Sequence, residues 1–401
     1  MKKMTVVYYR EKPPESFERA IFLAGPSPKK PEEAWRSWRP NALKELEASG
    51  FDGVVFVPEF LDPTRPGNES YKYDDMVKWE HNGIEMSDCV LFWVPRDLKT
   101  MPGLTTNIEF GWQLQTGKVI FGAPTKAPRM SYSRYMCKRY RVPSFRSLRA
   151  TVRNAIKFTA NGALRIGGER KVPLHIWHTA SFQSWITAHK SVGNRLDDAE
   201  LIFVVTKNKN KTVVLWGMRS NVYIKAENRH KWNEGVFARP DLSSVVIYNR
   251  NRKFIDLFDT KIVLVKEFRQ AVNNKDCMVH DLPGGSAPDF GTDYLNVAHE
   301  EVLEETGHNF PKKRFIYEGS RQVASTLSSH RVHLYSIEAT DKEMAYFEGE
   351  KGKIHGADPE NETGERVYVE VSTLRQIMQE ELVDWGIVGM INKVVHDKSQ
   401  K

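Results

Sequence analysis

At 401 residues the chain exceeds what one hydrophobic core usually organises, and with 40% apolar and 27% charged residues it reads as globular rather than fibrous or disordered. Three scattered cysteines, Cys89, Cys137 and Cys277, exclude a disulfide scaffold or a CxxC zinc framework. The apolar run at the start is broken by Arg10, Glu11 and Lys12 before it reaches signal-peptide length, and no later run reaches membrane length, so a cytoplasmic protein without membrane attachment is expected.

In chain order, AIFLAG (20–25), GVVFVPEF (53–60), CVLFWVP (89–95) and KVIFGAP (118–124) are short apolar strands, each closing on Gly or Pro. Helical patterns separate them: EEAWRSWRPNALKELEAS (32–49), interrupted at Pro40, then DDMVKWEHNGIEMS (74–87) and TTNIEFGWQLQT (105–116). Continuous apolar strands alternating with helices predict a doubly wound parallel sheet covered on both faces. The segment 110–168 holds no Asp or Glu while Lys126, Arg129, Arg134, Lys138, Arg139, Arg141, Arg146, Arg149 and Arg153 recur. Such a run is most often a solvated basic face, or one packed on an acidic neighbour.

Helices are expected to bridge the halves at 150–162 and 179–193. Then LIFVV (201–205), TVVLWG (212–217), SSVVIYN (243–249) and KIVLVKEFRQ (261–270) follow without helices between them, which predicts an antiparallel or mixed sheet; RVHLYSIEA (331–339), RVYVEVS (366–372) and a final helix from about Thr373 complete it. The expected domains are 1–145, a helical connector 146–200, and 201–401, with the boundary in KNKNK (207–211) or a little before it.

Two segments carry chemistry. In LTTNIEFGWQLQTGK (104–118), Thr105 or Thr106 can cap a helix and set Glu109 near its positive end, where an ionised carboxylate can attack an electrophilic carbon. Gly25 and Pro26 close the first strand, on the side where open α/β sheets bind ligands. In the second half, Glu301, Glu304 and Glu305 stand at i, i+3 and i+4 of one helix, behind Gly284 and Gly285. Acids that close repel one another unless a hard cation, Mg2+ or Mn2+, sits among them. Leu295, Ala298 and Val302 anchor that helix, Asp293 can cap its start, and Gly307 suits a left-handed stop.

EEVLEETG (300–307) behind LPGG (282–285) resembles the Nudix box, with Glu300 where the pattern has Arg, and KEFRQ (266–270) and SSHRVHLY (328–335) are similar to stretches of ADP-ribose pyrophosphatases. The resemblance implies a C-terminal α/β/α Nudix fold with a mixed sheet, Mg2+ held by Glu301, Glu304 and Glu305, Glu304 able to assist the attacking water, and substrate contacts from Arg269, Gly284 and Gly285. In the first half, IFLAGP (21–26), NGIEMSDCVLFWVPRD (82–97) and NIEFG (107–111) followed by TGK resemble nucleoside 2-deoxyribosyltransferases, which have a flavodoxin-like sheet. That resemblance implies Glu109 as the nucleophile at an anomeric carbon, with Gly25, Pro26 and Asn107 at the substrate. Asp97 and Glu80 are the candidate acids, and Asp88 reads as a structural cap. Phe22 and Trp93 could stack on a base, with core packing the stronger expectation.

The joint expectation is a bifunctional enzyme of nucleotide metabolism. It would break or exchange an N-glycosidic bond through Glu109 and hydrolyse a nucleoside diphosphate-linked metabolite such as ADP-ribose or NAD with Mg2+. The alternative makes the second domain a nucleotide sensor controlling the first domain or a partner. Nucleic-acid binding ranks last, since no recognition helix or stacking motif stands out, and a homo-oligomer is expected by analogy only.

Overall fold

A computed structural model describes residues 3–28, 31–62, 72–207, 212–250, 256–286, 292–357 and 364–399. The chain divides into two compact units, Met1–Ala238 and Arg239–Lys401.

The first unit is built on a six-stranded sheet. Its strands are β1 (Thr5–Tyr8), β3 (Ala20–Ala24), β4 (Val54–Val57), β5 (Cys89–Trp93), β6 (Val119–Gly122) and β7 (Ser144–Phe145); β2 (Ser16–Phe17) lies outside it. The order is β1-β4-β3-β5-β6-β7 and every pairing is parallel. All four runs read as strands from the sequence are strands, because side chains buried on both faces leave no polar alternation. The edge strands β1 and β7 escaped that reading, being short and only partly buried.

Helices α1 (Arg39–Ala48), α2 (Tyr73–Met86), α3 (Leu104–Gln113), α4 (Ser131–Arg139) and α5 (Leu148–Phe158) cover the sheet. Phe22, Phe56, Val90, Phe92 and Phe121 face Ile84, Phe110 and Cys137, from α2, α3 and α4. Ile21, Leu23, Val55 and Leu91 face Ala42, Leu46, Val152 and Ala155, from α1 and α5. The expected first helix is split into a 3-10 turn at Pro31–Arg36 and α1, and Pro40 sits in the first turn of α1, where a missing N–H leaves no bond unmade. The chain leaves β3 toward β4 on one side and later returns as β5 on the other, so the crevice beyond the carboxyl ends of β3 and β5 is the switch point of the sheet.

A second layer of the same unit follows. The short strand β8 (Arg165–Ile166) pairs with β2, α6 (Leu174–Trp177) and α7 (Ala180–Ser191) come next, and β9 (Arg195–Lys207), β10 (Thr212–Ile224) and β11 (Arg229–Ala238) form an antiparallel sheet. Val172, Ile176, Phe182 and Ile186 share one core with Leu196, Trp216, Met218 and Ala238. The division therefore falls after Ala238 rather than at 200/201, and the strands expected to open the second domain close the first unit instead. Of the expected boundary KNKNK, residues 208–211 lie outside the described residues; Lys207 and Thr212 pair across it.

The second unit is a mixed sheet between helices. Its strands are β12 (Leu242–Asn249), β13 (Lys261–Glu267), β14 (Val279–Asp281), β15 (Gly284–Ser286), β16 (Ile316–Gln322), β17 (Arg331–Glu338), β18 (Ile354–His355) and β19 (Val367–Thr373). The main path is β16-β17-β12-β13-β19-β18, with β14 on β13 and β15 on β12; β12 and β17 run parallel and the other pairs antiparallel. Helices α8 (Tyr294–Thr306) and α9 (Asp341–Gly349) bury Ala298, Val302, Met344 and Phe347 on one face. Helices α10 (Leu374–Glu380) and α11 (Trp385–Ser399) bury Leu374, Ile377, Ile391 and Val394 on the other. Among the described residues no helix is long and apolar enough to cross a membrane.

Candidate functional site

The end of β3 and the start of α1 build the floor of the first site. A Cβ on Gly25 would fall 2.2 Å from the Trp93 carbonyl oxygen and 2.9 Å from the Trp38 ring, so only glycine lets the end of β3 run against the end of β5. Trp38 Nε1 donates to the Pro26 carbonyl at 3.2 Å. Arg39, 1% exposed, holds the rest of the turn: Nε donates to Leu23 O at 3.0 Å, Nη2 to Gly25 O at 2.8 Å, and Nη1 to Ser27 Oγ at 2.9 Å and Glu59 Oε1 at 2.6 Å. Sequence reasoning missed Arg39 because an arginine at the start of an amphipathic helix is normally solvated.

Two acids stand in the field of that guanidinium. Burial pushes the Glu80 carboxyl, on α2, up to about 7, the negative charge of Glu109 pushes the same way, and Arg39 opposes both. Burial also raises Glu109, on α3, against the pull of Arg39. The charge of an ionised Glu109 thus favours the proton on Glu80. Three helices supply these three groups.

Helix α3 begins differently from the sequence expectation. Its N-cap is Gly103 in the left-handed region (φ 62°) and no side chain caps it; Thr105 and Thr106 lie inside the first turn. A Cβ at Gly103 would meet Pro26 Cβ at 3.1 Å, so the helix start is seated against the β3 turn. Glu109 is the sixth helical residue, one turn beyond the dipole's strongest field. Asn107 Oδ1 accepts from Arg96 Nη2 at 2.5 Å.

Asp97, expected as a candidate acid, holds a turn instead. Its Oδ1 accepts from the Lys99 and Thr100 amides at 2.9 and 2.8 Å, and these bonds lower its pKa. An exposed carboxylate kept ionised has no proton to give near neutral pH. Asp88 is structural, fully buried against Arg165 with bonds of 2.6 and 2.7 Å and accepting from the Ala20 and Leu174 amides. Phe22 and Trp93, 1% and 6% exposed, belong to the core.

The second unit assembles an acidic site of its own. On β15, a Cβ at Gly284 would strike Ser243 O at 2.1 Å and one at Gly285 would strike Glu301 Oε1 at 1.9 Å. Gly284 thus lets β15 lie close against β12, Gly285 leaves room for the Glu301 carboxylate, and the Gly284 amide donates to Glu305 Oε2 at 2.8 Å. As expected, Asp293 caps α8 by accepting from the Leu295 amide, and Gly307 ends it at φ 69°.

Burial raises Glu301 to about 7, helped by the charges of Glu304, Glu365 and Glu300. Burial likewise raises Glu304, next to Glu365 and Glu300, and lifts Glu305 well above the carboxylate range, with Glu301, Glu267 and Asp281 adding to it. Asp281 is pushed to about 6, chiefly by burial. Arg269 faces this group, bonded to Glu267 at 2.6 Å and 3.8 Å from Glu365. Glu267, Asp281 and Glu365 come from strands and a loop distant in sequence, with no local pattern to mark them.

Hard oxygen donors in mutual repulsion suit a divalent cation that keeps several waters and takes only one or two carboxylates. Among the described residues no group of three or more His, Cys, Asp or Glu stands in ligating geometry. The donor chemistry fits such an ion through Glu301 and Glu304, while Glu305 spends one oxygen on Gly284.

The first unit thus holds a doubly wound parallel sheet, with Glu80 and Glu109 on two of the helices that cover it. Residues 18–127 match the family model described as nucleoside 2-deoxyribosyltransferase like, and the chain carries such a domain there. The match spans β3 to β6 and includes Gly25, Arg39, Glu80 and Glu109. No curated protein matches the chain.

Proposed function

We propose that the first unit breaks or transfers the N-glycosidic bond of a nucleoside or nucleotide, and that the second hydrolyses a nucleoside diphosphate-linked metabolite. The observation that carries the first reading is the Glu80 and Glu109 pair in the field of Arg39, which also bonds the Gly25 carbonyl, with burial and the Glu109 charge together favouring a proton on Glu80. Glu109 Oε attacks the anomeric carbon and forms a glycosyl ester as the bond to the base nitrogen breaks. The electron pair leaves with the base, and Glu80 delivers its proton there; a carboxyl near 7 is matched to that task at neutral pH. Water or a second base then attacks the anomeric carbon, breaks its bond to Glu109 and gives its proton to the Glu80 carboxylate, which restores both groups. The Arg39 lattice keeps the Gly25 and Leu23 carbonyls fixed beneath the sugar.

For the second unit, support comes from the Nudix-like spacing of Glu301, Glu304 and Glu305 and from the contact geometry of Gly284 and Gly285. Glu301 and Glu304 would hold Mg2+ or Mn2+, whose charge, when bound, offsets that of the phosphate oxygens. Arg269 would meet a phosphate, and Glu304 would take a proton from the attacking water. NAD and ADP-ribose combine both scissile bond types, which makes them the first compounds to test.

The experiment is a product screen by mass spectrometry with deoxynucleosides, NAD and ADP-ribose, with and without Mg2+. Glu109→Ala should silence release of the base alone and Glu304→Gln phosphoanhydride cleavage alone; loss of both activities in either variant, or of neither, defeats the two-site reading. A sensor role for the second unit draws support from Glu300 in place of the pattern's arginine and from the lack of a three-donor group among the described residues. Calorimetry showing tight nucleotide binding without metal-dependent turnover would decide for it.

A further inference from the structure

We propose that the outer face of α4 and the adjoining edge of the first sheet bind single-stranded nucleic acid, with exposed tyrosines stacking on unpaired bases and the cations between them meeting phosphates. The inference goes beyond the glycosidic and hydrolytic readings and depends on neither.

Helix α4 turns Cys137, 2% exposed, into the core against the sheet. The helical period puts Tyr132, Tyr135 and Arg139, at i, i+3 and i+7, on the opposite side, with Lys138 beside them. Tyr132 is 73% and Tyr135 58% exposed, and Tyr140 at the end of the helix is open to solvent as well. Between residues 113 and 163 the exposed large hydrophobic side chains are these three tyrosines, with no aliphatic one among them. The spacing of SYSRYMCKRYR does not by itself show which rings face water; the packing of Cys137 does.

The charge around the rings has one sign. No Asp or Glu occurs from 110 to 168, and Lys138, Arg139, Arg141 and Arg146 are all exposed. Among the described residues these four form no ion pair; the pairs of that segment are those of Arg149 with Glu45 and of the buried Arg165 with Asp88. Arg141 and Arg146 flank β7, the last strand in the sheet order, so the positive strip continues from α4 around an open edge. A merely solvated basic face has no need of tyrosines. Rings interleaved with uncompensated cations suit a single strand, because every base offers a π-face and every nucleotide a phosphate. A bilayer fits less well, since a helix lying in a membrane surface buries an apolar face there and that of α4 is already in the core. A second copy of the chain also fits less well, since a two-fold contact through this face would set like charges together.

The test is fluorescence anisotropy on the full chain with labelled oligothymidylate and oligouridylate of about 20 nucleotides, a duplex of equal length, and phosphatidylserine vesicles as a separate arm. The single strands should bind more tightly than the duplex, and their affinity should fall with rising salt. Lys138→Gln and Arg139→Gln should each make the logarithmic salt slope shallower by about 0.7. Tyr132→Ala with Tyr135→Ala should weaken binding about tenfold or more at any one salt concentration, while phenylalanine at both positions should retain it. Should the double alanine change not fold, Tyr132→Ala alone, at the more exposed position, decides. Duplex bound as tightly as single strand, or alanine at the tyrosines without effect while the glutamines weaken binding, marks a plain polyanion face and overturns the proposal. Vesicles bound through these residues with no binding of either oligonucleotide overturns it in favour of a membrane surface.

Discussion

Replacing Glu80 by glutamine should stabilise the first unit at neutral pH while removing the proposed acid. The structure raises this carboxyl from its usual 4.5 to about 7, by burial first and by the Glu109 charge second. The folded state therefore holds the proton more tightly than the unfolded chain. Below about 4.5 both states are protonated and nothing is lost; from there stability falls as pH rises, and above about 7 the full amount is gone. At ~1.36 kcal/mol per pH unit the displacement is worth about 3 kcal/mol. Glutamine is isosteric and cannot ionise, so Glu80→Gln escapes that loss. For a unit of this size about 3 kcal/mol corresponds to a rise of roughly 6 to 12 °C in melting temperature. The assay is a pair of thermal melts, native and Glu80→Gln, at pH 4.5, 6 and 8, with base release measured in parallel. The reasoning is refuted if the variant melts at or below the native protein at pH 8, or if their difference does not shrink toward pH 4.5.

Further outcomes follow from the same geometry. Asp88→Ala should cost about 3 to 5 kcal/mol in a urea melt, because it strands the fully buried Arg165; the double change Asp88→Leu with Arg165→Met should lose less. Gly284→Ala should destabilise the second unit by about 1 to 3 kcal/mol, since its methyl would overlap the Ser243 backbone carbonyl oxygen, and a native-like melt would contradict that contact. Mg2+ at a hundredfold excess over its Kd should stabilise the second unit by about 2.7 kcal/mol. Glu304→Gln should lose most of that gain, and equal gains in both proteins would remove Glu304 from the ion's ligands.

The sequence by itself determined whatever depends on neighbours along the chain. Continuous apolar runs marked β3, β4, β5 and β6, because a strand buried on both faces has no room for polar residues. The helical period put Glu301, Glu304 and Glu305 on one side of α8, and Gly307 closed that helix as its lack of a side chain suggests. Only the tertiary structure decided which layers pack together and which distant charges meet. Strand-like composition could not tell that β9 and β10 share a core with α6 and α7, since partner choice depends on shape complementarity across long sequence separations. Nor could it separate Asp97 from Glu80: one is engaged by two turn amides in solvent, and the other is half-buried in the middle of α2 within the field of Glu109. Arg39, Glu80 and Glu109 come from three helices, and their ionisation is set by burial and mutual distance, which exist only once the chain has folded.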